Sequence, residues 1–121
     1  MSVGGNIYAS LQVSTNGAKN SIGTHEKEWV DGMTIYGWLD LMDGDSKHTT
    51  FNAKLQESTH IFLCDYQPLI CNVGEQENVV QITSENARMM IQGLVYEILL
   101  IDNPMNMNEH FEIYLRFIGG Q

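Results

Sequence analysis

The sequence predicts a mainly β domain: a small antiparallel β-barrel or sandwich of about six or seven strands, with long loops and at most one short helix. Two observations carry this. Short apolar runs alternate with a period of two, which is what a half-buried strand requires because successive side chains point to opposite faces. Turn-forming residues separate those runs, and only one stretch, Ser46–Gln56, leaves room for a helix. A chain of 121 residues suits one domain, 1–121, with one core.

In chain order, Ile7–Thr15 sets Ile7, Ala9, Leu11 and Val13 on one face and Tyr8, Ser10, Gln12 and Ser14 on the other, a first strand with one wet face. Asn16-Gly17 is a strong turn signal. No apolar run follows at once, so the polar Ala18–Gly32 reads as a long surface loop in which Trp29-Val30 fold back onto the core. Met33–Met42 is the second strand. Tyr36 and Trp38 share a face with Thr34 and Asp40, where their rings would cover an open edge. Asp43-Gly44-Asp45 ends it with turn chemistry. Ser46–Gln56 is equally well a short helix or an irregular loop.

Ser58–Tyr66 is the third strand, apolar on both faces in its middle, and Gln67-Pro68 breaks it because proline cannot donate to a central ladder. Leu69–Gln81 reads as a loop, with Val79–Ile82 as a possible extra edge strand. Ser84-Glu85-Asn86 then turns the chain into a terminal meander. Arg88–Ile91 leads through Gln92-Gly93 to Leu94–Ile101, and Asp102-Asn103-Pro104 leads on to Phe111–Ile118. Gly93 supplies the positive φ that a tight hairpin needs. Leu94–Ile101 is apolar on both faces apart from Glu97, so it is expected at the centre of the sheet, covered on each side. In the last run Phe111, Ile113, Leu115 and Phe117 alternate with Glu112, Tyr114 and Arg116.

With 43% hydrophobic and 17% charged residues, the composition is that of a folded chain. No apolar run approaches the roughly 20 residues of a membrane helix, and MSVGGNIYAS lacks the basic and apolar regions of a secretory signal. A cytoplasmic chain with no membrane partner is therefore expected, and Cys64 and Cys71 are expected as reduced, partly buried thiols. Six Lys plus Arg against fifteen Asp plus Glu give a net charge of −9. Gripping phosphates needs clustered cations, so nucleic-acid wrapping is a poor fit. The acidity is most economically a solubility device, although an acidic wall would also let DNA slide past without sticking.

Nothing in the sequence nominates a catalytic centre, a cofactor or a metal. His25, His48, His60 and His110 are scattered. His60 and Cys64 share a strand face, with Cys71 beyond the turn, but the spacing is not that of a zinc site. There is no GxSxG elbow and no phosphate-cradling glycine loop. Asp40, Asp43 and Asp45 bracket a turn, where solvated carboxylates are commonplace. Gly4-Gly5 and Gly119-Gly120 read as flexible termini. Of the methionines, Met89 and Met90 read as core filler. Met105 and Met107, with Glu109 beside them, sit in a turn, NPMNMNEH, where an apolar tip suggests a partner surface. The competing reading folds that loop onto its own barrel.

Several stretches carry a family likeness when taken in order. Ala9–Thr15 leads through a polar loop with Gly17 to Trp29, and Ile35–Leu41 follows. Phe51-Asn52-Ala53-Lys54-Leu55 leads into Ser58–Tyr66. The most distinctive part is Met89-Met90-Ile91-Gln92-Gly93-Leu94-Val95-Tyr96-Glu97-Ile98, with Asp102-Asn103-Pro104 and a last strand after it. This arrangement, over residues 7–118, resembles the head-closure proteins of tailed bacteriophages, also called head–tail joining or stopper proteins. It departs from them in a longer segment between Tyr66 and Arg88, in Gln92 where a basic residue is common, and in its acidity.

The resemblance implies a homo-oligomeric ring, a dodecamer. Its place would be the head–tail interface of the virion, with the host cytoplasm as its location during assembly. The portal-adaptor protein would lie above it, the tail terminator or tail tube below, and packaged DNA in the channel. It further implies that the loop after the second strand, Asp43–Glu57, closes the channel, with Asp43, Asp45, Lys47, His48 and Thr49 at its tip. The alternatives are a tail terminator or another connector ring protein, or a small β-barrel module for peptide or carbohydrate with Trp29, Tyr36 and Trp38 as its stacking surface.

Overall fold

The computed structural model of the chain describes residues 3–19, 25–41, 58–73 and 78–120. Eight strands follow one another: β1 (Ile7–Lys19), β2 (His25–Leu41), β3 (His60–Asp65), β4 (Ile70–Val73), β5 (Asn78–Gln81), β6 (Ala87–Ile91), β7 (Leu94–Asp102) and β8 (His110–Gly120). Six of them close into a barrel in the order β1-β2-β3-β8-β7-β6, every neighbour antiparallel. Two three-stranded meanders, β1–β3 and β6–β8, are thus zipped together along both seams. Closure leaves the barrel with no unpaired edge strand. It is a barrel and not a sandwich.

The alternation read from the sequence becomes inside and outside. Ala9, Leu11 and Val13 of β1, Phe62 and Cys64 of β3, Met89 and Ile91 of β6, and Phe111, Ile113 and Leu115 of β8 meet in one buried cluster. Phe117, placed on that face by its period, is exposed instead. β7 is central, between β6 and β8, as expected. Its pairing shifts from Ile98↔Leu115 to Leu100↔Tyr114, so Leu99 is the extra residue of a bulge. Met89 is fully buried, but its neighbour Met90 lies half-buried on the outer face, so only the first is core filler. At Gly37 the barrel wall leaves no room for a side chain: a Cβ there would stand 2.1 Å from the Leu63 carbonyl oxygen and 2.8 Å from the Phe62 ring.

Two expected loops are strands. Ala18–Gly32 is largely ladder, because β1 runs on to Lys19 and β2 starts at His25, pairing through Asn16↔Lys27 and Thr15↔Glu28. Backbone hydrogen bonds hold such an arm whatever its side chains, so a polar stretch without apolar alternation conceals it. Val30 does pack on the core, while Trp29 lies under the Arg88 guanidinium at 4.5 Å. Leu69–Gln81 holds the β4–β5 hairpin, a separate two-stranded sheet registered from Ile70↔Gln81 to Val73↔Asn78. The strand expected at Val79–Ile82 is β5, Asn78–Gln81, in its own small sheet and not an edge of the main one. Leu69, Cys71 and Ile82 extend the core beneath the hairpin.

Neither glycine pair is a loose terminus. Gly119 and Gly120 pair with Val95 and Leu94 inside β8. The Val3–Asn6 segment is strapped down: Asn6 N–H donates to the Gly37 carbonyl at 2.8 Å, Tyr36 Oη to the Gly5 carbonyl at 2.6 Å, and Trp38 Nε1 to the Val3 carbonyl at 2.8 Å. Tyr36 and Trp38 hold this strap rather than cover an open edge.

Candidate functional site

Of the expected site residues, Met105, Met107 and Glu109 lie in the described part, on the connection between β7 and β8. Pro104 opens a single 3-10 turn, Pro104–Asn106, and Asn103 clamps the loop from its base. The Asn103 amide donates to Asn108 Oδ1 at 2.7 Å, and its oxygen accepts the Asn108 N–H at 3.1 Å. The Asn103 carbonyl accepts the Asn106 N–H at 2.9 Å. Met105, Asn106 and Asn108 all have φ between 53 and 57°. Asparagine tolerates that region, whereas a methionine there costs about 1 kcal/mol.

The outcome is a braced knob whose methionines point away from the barrel, with Met105 88% and Met107 58% exposed. The loop does not fold down on its own barrel. The tip Asn103–Asn108 carries no charged side chain, and the exposed Glu109 stands where it rejoins β8. The other expected site residues, Asp43, Asp45, Lys47, His48 and Thr49, and the loop Asp43–Glu57 that holds them, lie outside the described residues.

Sequence reasoning did not find the cleft beside this knob. It lies between the β4–β5 hairpin and the ends of β7 and β8, with a volume of about 590 Å³, and Tyr66, Leu69, Ile70, Ile82, Ile101 and Phe111 line it. Gln67, Pro68, Gln81, Thr83, Ser84 and Leu100 complete the lining among the described residues, none of them charged. The Tyr66 and Phe111 rings stack at 5.1 Å, and the Tyr66 N–H donates to the Glu109 carbonyl at 3.3 Å. The cleft wall and the base of the loop are one piece of structure. A cleft formed by residues from four separate stretches leaves no local signal in the sequence.

Several titratable groups elsewhere have close partners or shifted proton affinities. Glu112 accepts the Tyr114 hydroxyl at 2.8 Å and contacts His110 Nε2 at 3.2 Å. Burial, then that hydrogen bond and the nearby Glu112 and Asp102 charges, push the Tyr114 hydroxyl well above its usual range. His60 sits edge-on to Tyr96 at 5.2 Å with Thr59 Oγ1 at 2.9 Å from its Nδ1, and burial lowers its pKa. Cys64 and Cys71 are free and buried, and burial followed by the Asp65 charge pushes the Cys64 thiol up to about 12. Among the described residues, no group of three or more His, Cys, Asp or Glu side chains is placed to hold a metal.

The three aromatic residues of the binding-module reading share the outer face of β2 but form no single platform. Trp29 packs against Arg88, whose Nε donates to Gln12 at 2.8 Å. Tyr36, stacked on Tyr8 at 4.6 Å, lies seven residues further along, about 23 Å away at strand spacing.

No family model matches the chain, and no curated protein matches it. Among solved structures, a Shigella flexneri 2a protein determined in solution is similar, with 15% identity and a TM-score of 0.66, over 95% of this chain and 94% of that one. A chain from the virion of a native gene transfer agent particle is similar at 12% identity and a TM-score of 0.49, over 93% of this chain and 94% of that one. At these identities the likeness concerns the fold alone.

Proposed function

We propose that this chain is a structural connector subunit of a tailed phage or phage-like particle, acting by assembly rather than by chemistry on a ligand. In this reading copies stand side by side in a ring below the portal and its adaptor, close the DNA-filled head and offer the tail a docking surface. The braced, solvent-directed Met105–Met107 knob carries the proposal. An apolar tip held rigid at a conformational cost is expected where another macromolecule covers it.

The ordered likeness over residues 7–118 supports the same reading. So does exposed apolar surface elsewhere: Tyr8 on the outer barrel wall, Ile70 and Val79 on the β4–β5 hairpin, and Phe117 and Ile118 on β8. A subunit flanked by neighbours and sandwiched between two partners needs several such faces.

The deciding experiment mixes the purified protein with DNA-filled, tailless heads and images the portal vertex. Vertex-bound density and restored tail attachment are the expected result. A protein that ignores the vertex and instead binds a peptide or sugar saturably would overturn the proposal in favour of the binding module. Deletion of residues 43–57 tests the channel role: leaking heads are expected, and fully retained genomes would refute it.

A further inference from the structure

The β7–β8 loop carries a second chemistry besides its apolar tip, and we infer that Met105, Met107 and His110 together bind a soft monovalent metal cation, Cu(I) or Ag(I). This goes beyond the connector reading and does not rest on it. The exposed apolar side chains of the tip are both methionines. Leucine would make the tip as apolar, and what methionine adds is a polarisable thioether sulfur. Thioether and imidazole donors suit soft metals, whereas magnesium and calcium take carboxylate, carbonyl and water oxygens.

His110 is already arranged as a metal-binding histidine is. Its Nε2 stands 3.2 Å from Glu112 Oε2. An ionised carboxylate only accepts hydrogen bonds, so the proton of the neutral ring lies on Nε2 and Nδ1 keeps its lone pair. Glu112 is held in turn, because its other oxygen accepts the Tyr114 hydroxyl at 2.8 Å. A carboxylate behind the far nitrogen of an imidazole fixes the tautomer and makes the ring a better donor to a metal.

The backbone supplies the spacing. Met105 and Met107 are two residues apart and Met107 and His110 three, so the Cα atoms of these pairs lie at most about 7 and 11 Å apart. The Asn103 clamp on Asn108, at 2.7 and 3.1 Å, and the Tyr66 N–H on the Glu109 carbonyl, at 3.3 Å, hold that stretch of chain. The turn is thus fixed in advance, and the methionine side chains, with three rotatable bonds each, swing to close on the ion. The net charge of −9 draws cations of every kind and favours none of them. Sulfur makes the choice.

The test titrates the full-length chain, with its methionine methyl groups labelled with carbon-13, with silver nitrate in chloride-free buffer. Ag(I) is the soft probe that undergoes no redox change there. Of the seven methionines, Met105 and Met107 are expected to show methyl shifts that saturate together at one ion per chain. Magnesium at the same concentrations is expected to move neither. Met105→Leu with Met107→Leu removes both sulfurs and keeps the tip apolar and of similar volume. It is expected to weaken silver binding in calorimetry by about tenfold or more, with thermal unfolding unchanged. Glu112→Gln is expected to weaken it by about tenfold while the same two methyl signals still shift.

Cys64 and Cys71 are the other soft ligands among the described residues, and both are buried. Silver uptake that leaves the Met105 and Met107 methyl signals unmoved overturns the site. Undiminished affinity in the Met105→Leu/Met107→Leu variant overturns it as well. The connector reading is judged apart from this. Vertex binding that survives in that variant while silver binding is lost supports both readings, and methyl shifts in a parent protein that ignores the vertex support the site and overturn the connector alone.

Discussion

Between β6 and β7 the chain reverses within Gln92 and Gly93 alone, whereas between β7 and β8 it takes the whole of Asn103–Glu109. Both turns place residues at positive φ. In the first, Gln92 at 52° and Gly93 at 82° adopt the handedness that matches the twist of the strands, so the turn serves the register of the meander. In the second, Met105 takes a similar φ with no glycine to relieve it, and an asparagine clamp keeps it there. One turn spends its backbone on folding. The other holds an apolar tip in solvent at the expense of stability, which is why it, and not the tighter turn, is the place to look for a partner.

Substitutions rank the two regions against the barrel that carries them. The largest effect is expected at Gly37: Gly37→Val drives a side chain into the Leu63 carbonyl and the Phe62 ring. It should abolish cooperative unfolding in a circular-dichroism melt. Phe62→Ala removes the largest fully buried side chain among the described residues and should cost about 3–5 kcal/mol by urea titration. Gly93→Ala should cost about 1 kcal/mol, since alanine resists φ near 82°.

Met105→Gly should act in the opposite direction, raising stability by up to about 1 kcal/mol while weakening assembly. If Gly93→Ala and Met105→Gly shifted the urea midpoint the same way, the contrast between the turns would fall.

The smallest effect is a pH dependence at His60. Burial makes the folded chain bind the His60 proton less readily than the unfolded one does. Its contribution is therefore fully present above the ordinary histidine value and is lost as pH falls through the lowered one. His60→Phe should flatten stability between about pH 7 and pH 5, and an unchanged slope would place the acid sensitivity elsewhere.

Much of this fold was legible in advance where burial and period coincide. Ile7–Val13, the middle of β3 and the β6–β7–β8 meander all alternate or saturate in apolar residues, and Gly93 marks its turn. The polar arm through Asn16↔Lys27 was not legible, because a backbone ladder holds it with little help from apolar alternation. Of the β4–β5 hairpin only the second strand showed, as the apolar run at Val79–Ile82, and its partner β4 did not. At the candidate site the knob residues Met105 and Met107 were visible as apolar letters in a turn. The cleft beside them was not, since its walls come from Tyr66–Ile70, Gln81–Ser84, β7 and β8.

By itself the sequence determined the apolar strand segments, the faces of them that avoid water and the Gln92-Gly93 turn, because each depends on neighbours within a few residues. The Asn16-Gly17 turn signal misled, since both residues lie inside β1. Only the tertiary structure decided that β1 pairs with β6 and β3 with β8 to close the wall, and that the methionine loop stands out instead of lying down. Those outcomes turn on contacts between residues dozens of positions apart, for which local periodicity carries no signal.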